Sequence, residues 1–73
     1  MNDTHDRAKS LCEEFSDWVL FDDVNMSVVF NTTEDYLFIL DVELLKLGYI
    51  EIHFSELEID EGVFSYTCVY KHR

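Results

Sequence analysis

The chain has 73 residues, 48% hydrophobic and 15% aromatic, with sixteen acidic side chains against five Lys and Arg and a formal net charge of −11. A chain of this length makes one domain with one small core, since it buries only about 60% of the surface its unfolded form exposes. The aromatic content excludes a disordered acidic tail, and the charge excludes nucleic-acid backbone and anionic membrane as direct partners, because both repel it.

The first element reads as a helix over about 4–16, because Ala8, Leu11, Cys12, Phe15 and Val19 recur on one helical face. Asn2, Asp3 or Thr4 can cap its start, and Asp6 suits its positive end. After Phe15 the period becomes two. "WVLF" (18–21) and "MSVVF" (26–30) read as strands around a "DDVN" turn, and "NTTED" reads as the next turn. "YLFILDVELL" (36–45) alternates well enough for a long third strand, with Tyr36, Phe38, Leu40, Val42 and Leu44 on one face. Its other face carries Leu37, Ile39, Asp41, Glu43 and Leu45, and "LLKLG" allows a short turn of helix.

A fourth strand covers 49–59 and a fifth "VFSYTCVY" (63–70). In the fourth, Ile50, Ile52 and Phe54 are expected inward and Tyr49, Glu51 and His53 outward. In "ELEID" apolar and acidic residues alternate. Leu57 and Ile59 are therefore expected in the core, with Glu56, Glu58 and Asp60 forming an outer ladder at roughly 6.6–6.8 Å spacing. Asp60, Glu61 and Gly62 then make a turn. No repeat or linker is legible. The expected fold is α+β, a single domain with one N-terminal helix packed on an antiparallel sheet of four to five strands.

Charge is the main functional signal. No Lys or Arg occurs between Ser10 and Leu45, and the bases sit near the ends as Arg7, Lys9, Lys71 and Arg73, with Lys46 between. Self-repulsion of this size costs stability and exceeds what solubility requires. The ordinary reading of such carboxylates is a solvated face. The functional reading is a surface for a basic protein, drawing on Asp22, Asp23, Glu34, Asp35, Asp41, Glu43, Glu51, Glu56, Glu58, Asp60 and Glu61, with Tyr49 as an aromatic contact.

Rival chemistry finds less in the chain. "DDVN" and "EIDEG" offer oxygen ligands without the spacing of a calcium loop. His5, Cys12, His53, Cys68 and His72 include no close zinc-type pair. No nucleophile elbow or phosphate loop occurs, so neither an enzyme nor a cofactor is expected. Two cysteines do not make a disulfide framework, and "MNDTHDRAKS" lacks an apolar signal region, so a reducing cytoplasm is the expected setting. The N-x-[ST] matches at Asn2, Asn25 and Asn31 are then chance.

In charge and size alone, the chain resembles virus-encoded inhibitors that imitate nucleic acid. That resemblance implies a stoichiometric inhibitor whose carboxylates stand in for phosphates on a basic nucleic-acid-binding protein in the host cytoplasm, as in anti-CRISPR, anti-restriction and repair-inhibitor proteins. Three alternatives stand beside it: an immunity protein or antitoxin against a basic nuclease, a small acidic subunit of a larger complex, and a metal-binding domain. Leu37, Ile39 and the tyrosines exceed what one helix covers, so a homodimer is also expected.

Overall fold

In the computed structural model, which describes residues 3–73, two helices lie on one face of a four-stranded antiparallel sheet. The order along the chain is α1 (Asp3–Phe15), β1 (Trp18–Asp22), β2 (Ser27–Thr33), α2 (Glu34–Lys46), β3 (Tyr49–Asp60) and β4 (Val63–His72). Across the sheet the order is β1-β2-β4-β3. The α+β class expected from the sequence is the class adopted. Asp3 and Thr4 lie inside α1 rather than capping it, and Asn2 lies outside the described residues.

Alternate residues of β2 and β4 build the core floor. Val28, Phe30 and Thr32 pair with Tyr70, Cys68 and Tyr66, and all six are buried. Residues directly opposite on antiparallel strands share a face. Val19 and Phe21 continue that face onto β1 by pairing with Phe30 and Val28. Ala8 and Cys12 of α1 and Leu40 and Leu44 of α2 close over it. The turn between β1 and β2 is held by Asp22, whose carboxylate accepts the backbone N–H groups of Val24 and Asn25 and the Asn25 amide. Those bonds, the Asn25 side chain's first, hold the Asp22 carboxyl below its ordinary range.

The segment expected as a third strand is α2. The pattern could not separate the two readings, because apolar side chains surround this helix: Leu40 and Leu44 are buried while Tyr36, Phe38, Ile39 and Leu45 are exposed. Two other signals favour the helix. Glu34 and Asp35 occupy its first turn and Lys46 its last, as the helix dipole prefers. Gly48, at φ +90°, then takes the left-handed position past its end and donates its N–H to the Leu45 carbonyl. Topology requires the helix too. β2 and β3 run parallel with β4 between them, and parallel strands need a crossover that an α-helix supplies.

The chain thus repeats one plan, helix then hairpin, as α1–β1–β2 and α2–β3–β4, with both helices 13 residues long. The halves meet where β2 pairs with β4. They differ in reach: β1 and β2 have 5 and 7 residues, β3 and β4 have 12 and 10. The second hairpin outruns the helices, in a molecule measuring 43 × 17 × 17 Å. Every residue of β3 from Glu51 to Asp60 is exposed.

That exposure overturns the expected faces of β3. Tyr49, expected outside, is 0% exposed. Ile52 and Phe54 are exposed rather than inward, and Leu57 and Ile59 are 66% and 61% exposed rather than core. β3 lies at the edge of the sheet, so its side chains from Glu51 onward stay in water on either face, and its register with β4 carries two irregularities, one between Glu51 and His53 and one between Glu58 and Asp60. Each inserts a residue and reverses which side the following residues face.

Candidate functional site

The register places the β3 carboxylates. Glu51, Glu56 and Glu58 pair with Tyr70, Tyr66 and Phe64, so they stand on the helix-bearing face. Phe54 pairs with Cys68 and shares that face. Leu57 pairs with Ser65 and Asp60 with Val63, on the opposite face. The expected ladder of Glu56, Glu58 and Asp60 is therefore two rungs long, with Asp60 turned away by the second irregularity.

Helix α2 supplies a facing row. Glu34, Leu37, Phe38 and Asp41 follow the i, i+3, i+4, i+7 stripe of one helical side. Together with Glu51 and Phe54 they line a cleft of about 460 Å³ between α2 and β3. Under the helix, Tyr70 donates its hydroxyl to Asp41 at 2.5 Å. Burial pushes the Tyr70 hydroxyl well above its ordinary value, and Asp41 and Glu51 add to the effect. Tyr66 is raised likewise, by burial first and then by Glu34 and Glu56. Acids of α2 and of β3 thus flank the same two tyrosines from opposite sides, with Phe54 stacked on Tyr66 at 5.5 Å between ring centres.

Other acidic candidates are spread around the molecule and engaged locally. Asp22 holds its turn. Asp23 accepts from His5 Nε2 at 2.8 Å. Glu43 pairs with Lys46 at 3.1 Å on the exposed side of α2. Asp35 joins Glu34 beside Gly62, Val63 and Phe64 in a smaller cleft near the hairpin tip, where Glu61 also sits. Tyr49 is a core residue. Its hydroxyl lies 2.5 Å from His5 Nδ1, so His5 ties α1 to β3 and to the β1–β2 turn. With the proton on Nε2, the ring donates to Asp23 and accepts from Tyr49. Burial raises the Tyr49 hydroxyl, with smaller effects from Cys12 and Asp23.

The second helix also takes up much of the apolar surplus that suggested a dimer. Tyr66 and Tyr70 lie beneath α2, and Tyr49 lies beside His5 of α1. The far face of the sheet stays open, with Trp18, Leu20, Val29 and Val69 on it.

Among the described residues, no group of three or more His, Cys, Asp or Glu stands together in a way that could hold a metal ion. Cys12 and Cys68 are free and buried, and burial pushes both thiols up to about 12. Such thiols are inert rather than nucleophilic. No helix among the described residues is long and apolar enough to cross a membrane. Compared with protein-family models, curated proteins and solved structures, the chain matches none.

Sequence reasoning missed Phe38 and Phe54 as site residues. The signal was present as the stripe Glu34, Leu37, Phe38 and Asp41, which becomes visible only when 34–46 is read as a helix.

Proposed function

We propose that the protein is a small acidic binding protein that inhibits a basic, nucleic-acid-binding protein stoichiometrically, by placing carboxylates where that partner expects phosphates. The observation that carries this reading is the pair of acidic rows, Glu34 and Asp41 on α2 and Glu51, Glu56 and Glu58 on β3, an edge strand exposed from Glu51 to Asp60. No base lines the cleft between them. Glu56 and Glu58 are held by strand backbone at about 6.6–6.8 Å, so they are positioned without the ordering cost of a flexible tail. Occlusion needs no catalytic group, and an intracellular setting in the partner's own compartment follows from the mechanism.

The test is capture and competition. Immobilised protein should retain a basic nucleic-acid-binding protein at low salt, and duplex nucleic acid should displace it. Retention should fall steeply with added salt, because the Debye length shrinks from about 10 Å at 0.1 M to about 3 Å at 1 M. Glu56→Lys with Glu58→Lys should leave the circular dichroism spectrum unchanged and abolish retention. Retention unaffected by salt and by both substitutions refutes the reading.

A second reading, an acidic subunit of a larger complex, is favoured by the open sheet face that carries Trp18 and Leu20. In that case the captured partner stays bound when nucleic acid is added.

A further inference from the structure

The cleft between α2 and β3 combines two chemistries. Its rim is acidic, from Glu34, Asp41 and Glu51, and its wall is apolar, from Leu37, Phe38 and Phe54. Phe38 is 74% exposed. A large aromatic left in water beside carboxylates is more than charge mimicry requires, since phosphate imitation needs no apolar wall. Beside the cleft, β3 is an edge strand that pairs with β4 alone, so its outer edge carries unpaired backbone N–H and C=O groups.

An edge strand accepts an added strand, with backbone bonds giving affinity and side-chain pockets giving specificity. A second copy of this chain is disfavoured as the occupant. Two β3 edges would bring Glu51, Glu56 and Glu58 against like charges, which is one way natural edges avoid self-pairing. A segment of opposite charge fits the same edge.

We propose that the cleft and the β3 edge together seat an extended segment of a protein partner with the pattern basic–x–apolar–x–basic. The apolar side chain rests against Leu37, Phe38 and Phe54. Side chains two residues to either side project from the same face at about 6.6–6.8 Å spacing, which brings Lys or Arg to Glu34, Asp41 and Glu51. This inference rests on the reading that the partner is basic, and it adds which surface contacts it and which sequence pattern is selected.

The test uses three short synthetic peptides, with Arg-x-Leu-x-Arg, Arg-x-Ser-x-Arg and Gln-x-Leu-x-Gln spacing, and backbone amide NMR of the whole chain at low salt. The Arg–Leu peptide should shift the amides of Leu37, Asp41, Glu51 and Phe54. Replacing its Leu with Ser should weaken binding by about tenfold or more, the scale of one buried apolar side chain. Phe38→Ala should weaken the Arg–Leu peptide by a similar factor and leave the Arg–Ser peptide unchanged. Phe38 is exposed, so this variant keeps the fold. Equal binding of the Arg–Leu and Arg–Ser peptides, with shifts at Glu56 and Glu58 and none in the cleft, overturns the cleft and leaves the basic-partner reading standing. Failure of both Arg peptides to bind removes both. Tight binding of the Gln–Leu peptide shows an apolar site indifferent to charge, and shifts in the same amides on diluting the protein alone show an interface between copies. Either result overturns the proposal.

Discussion

Raising the pH from 8 to 10 should destabilise this protein through thiols that take no part in binding. Cys12 is fully buried, and its thiol is pushed from an ordinary value of 9.0 to about 12 by burial, with Cys68 and Glu13 adding to it. The folded-state value lies above the unfolded one, so the folded chain keeps a proton that the unfolded chain releases. Stability from this group is therefore complete below pH 9 and declines as pH rises from about 9 towards 12. Between pH 8 and pH 10 the unfolded thiol gains about one unit of ionisation free energy, about 1.4 kcal/mol, while the folded thiol gains almost none. Cys68 and Tyr70, both raised chiefly by burial, act in the same direction. A loss of this size is a large part of a small domain's stability. Urea titration at the two pH values reads it as a fall in midpoint on the order of 1 M. Cys12→Ala carries its own packing cost at both pH values, so the informative quantity is the difference between them, which should shrink by about 1.4 kcal/mol. A variant whose stability falls with pH as steeply as the parent's refutes the reasoning, since the thiol would then ionise equally in both states.

Other outcomes follow from burial and from ligand geometry. Leu40→Ala should cost on the order of 2–5 kcal/mol in thermal or urea unfolding, because Leu40 is 0% exposed in the core. Leu57→Ala should stay within about 0.5 kcal/mol of the parent, because that side chain stands mostly in water on the hairpin. A large cost at Leu57 would mean that another surface covers it in solution. Adding a chelator should leave the melting temperature unchanged, since the described His, Cys, Asp and Glu form no group fit to hold a metal. A drop of many degrees would show a metal holding the fold.

What the sequence determined by itself was local and short-range. Ala8, Leu11, Cys12 and Phe15 can share a face only on a helix, and "VFSYTCVY" is rich in β-branched and aromatic residues, so both elements were legible, with β1 and β2 between them, although "NTTED", expected as a turn, gives β2 its last three residues and α2 its first two. The net charge of −11 needed no structure either. Tertiary structure decided the faces of β3 and settled the identity of α2, for which the acids at 34 and 35, Lys46 and Gly48 were the local signs. Residues 36–45 are apolar on every side, so alternation and helical period fit them equally. The choice was made by the parallel run of β2 and β3, which needs a crossover, and by the sheet face that needs covering. In β3 the expected faces, Ile50, Ile52 and Phe54 inward and then Leu57 and Ile59, changed parity between Phe54 and Leu57, where the pairing with β4 is in fact regular. Each added residue in the register, at Ile52 and at Ile59, reverses the side that its successors face. Nothing in the local pattern marks those insertions, because they arise from how a 12-residue strand fits a 10-residue neighbour. The cleft depends on both decisions. Its acids and aromatics are far apart in sequence, and they meet only because α2 crosses beside the edge to which β3 returns.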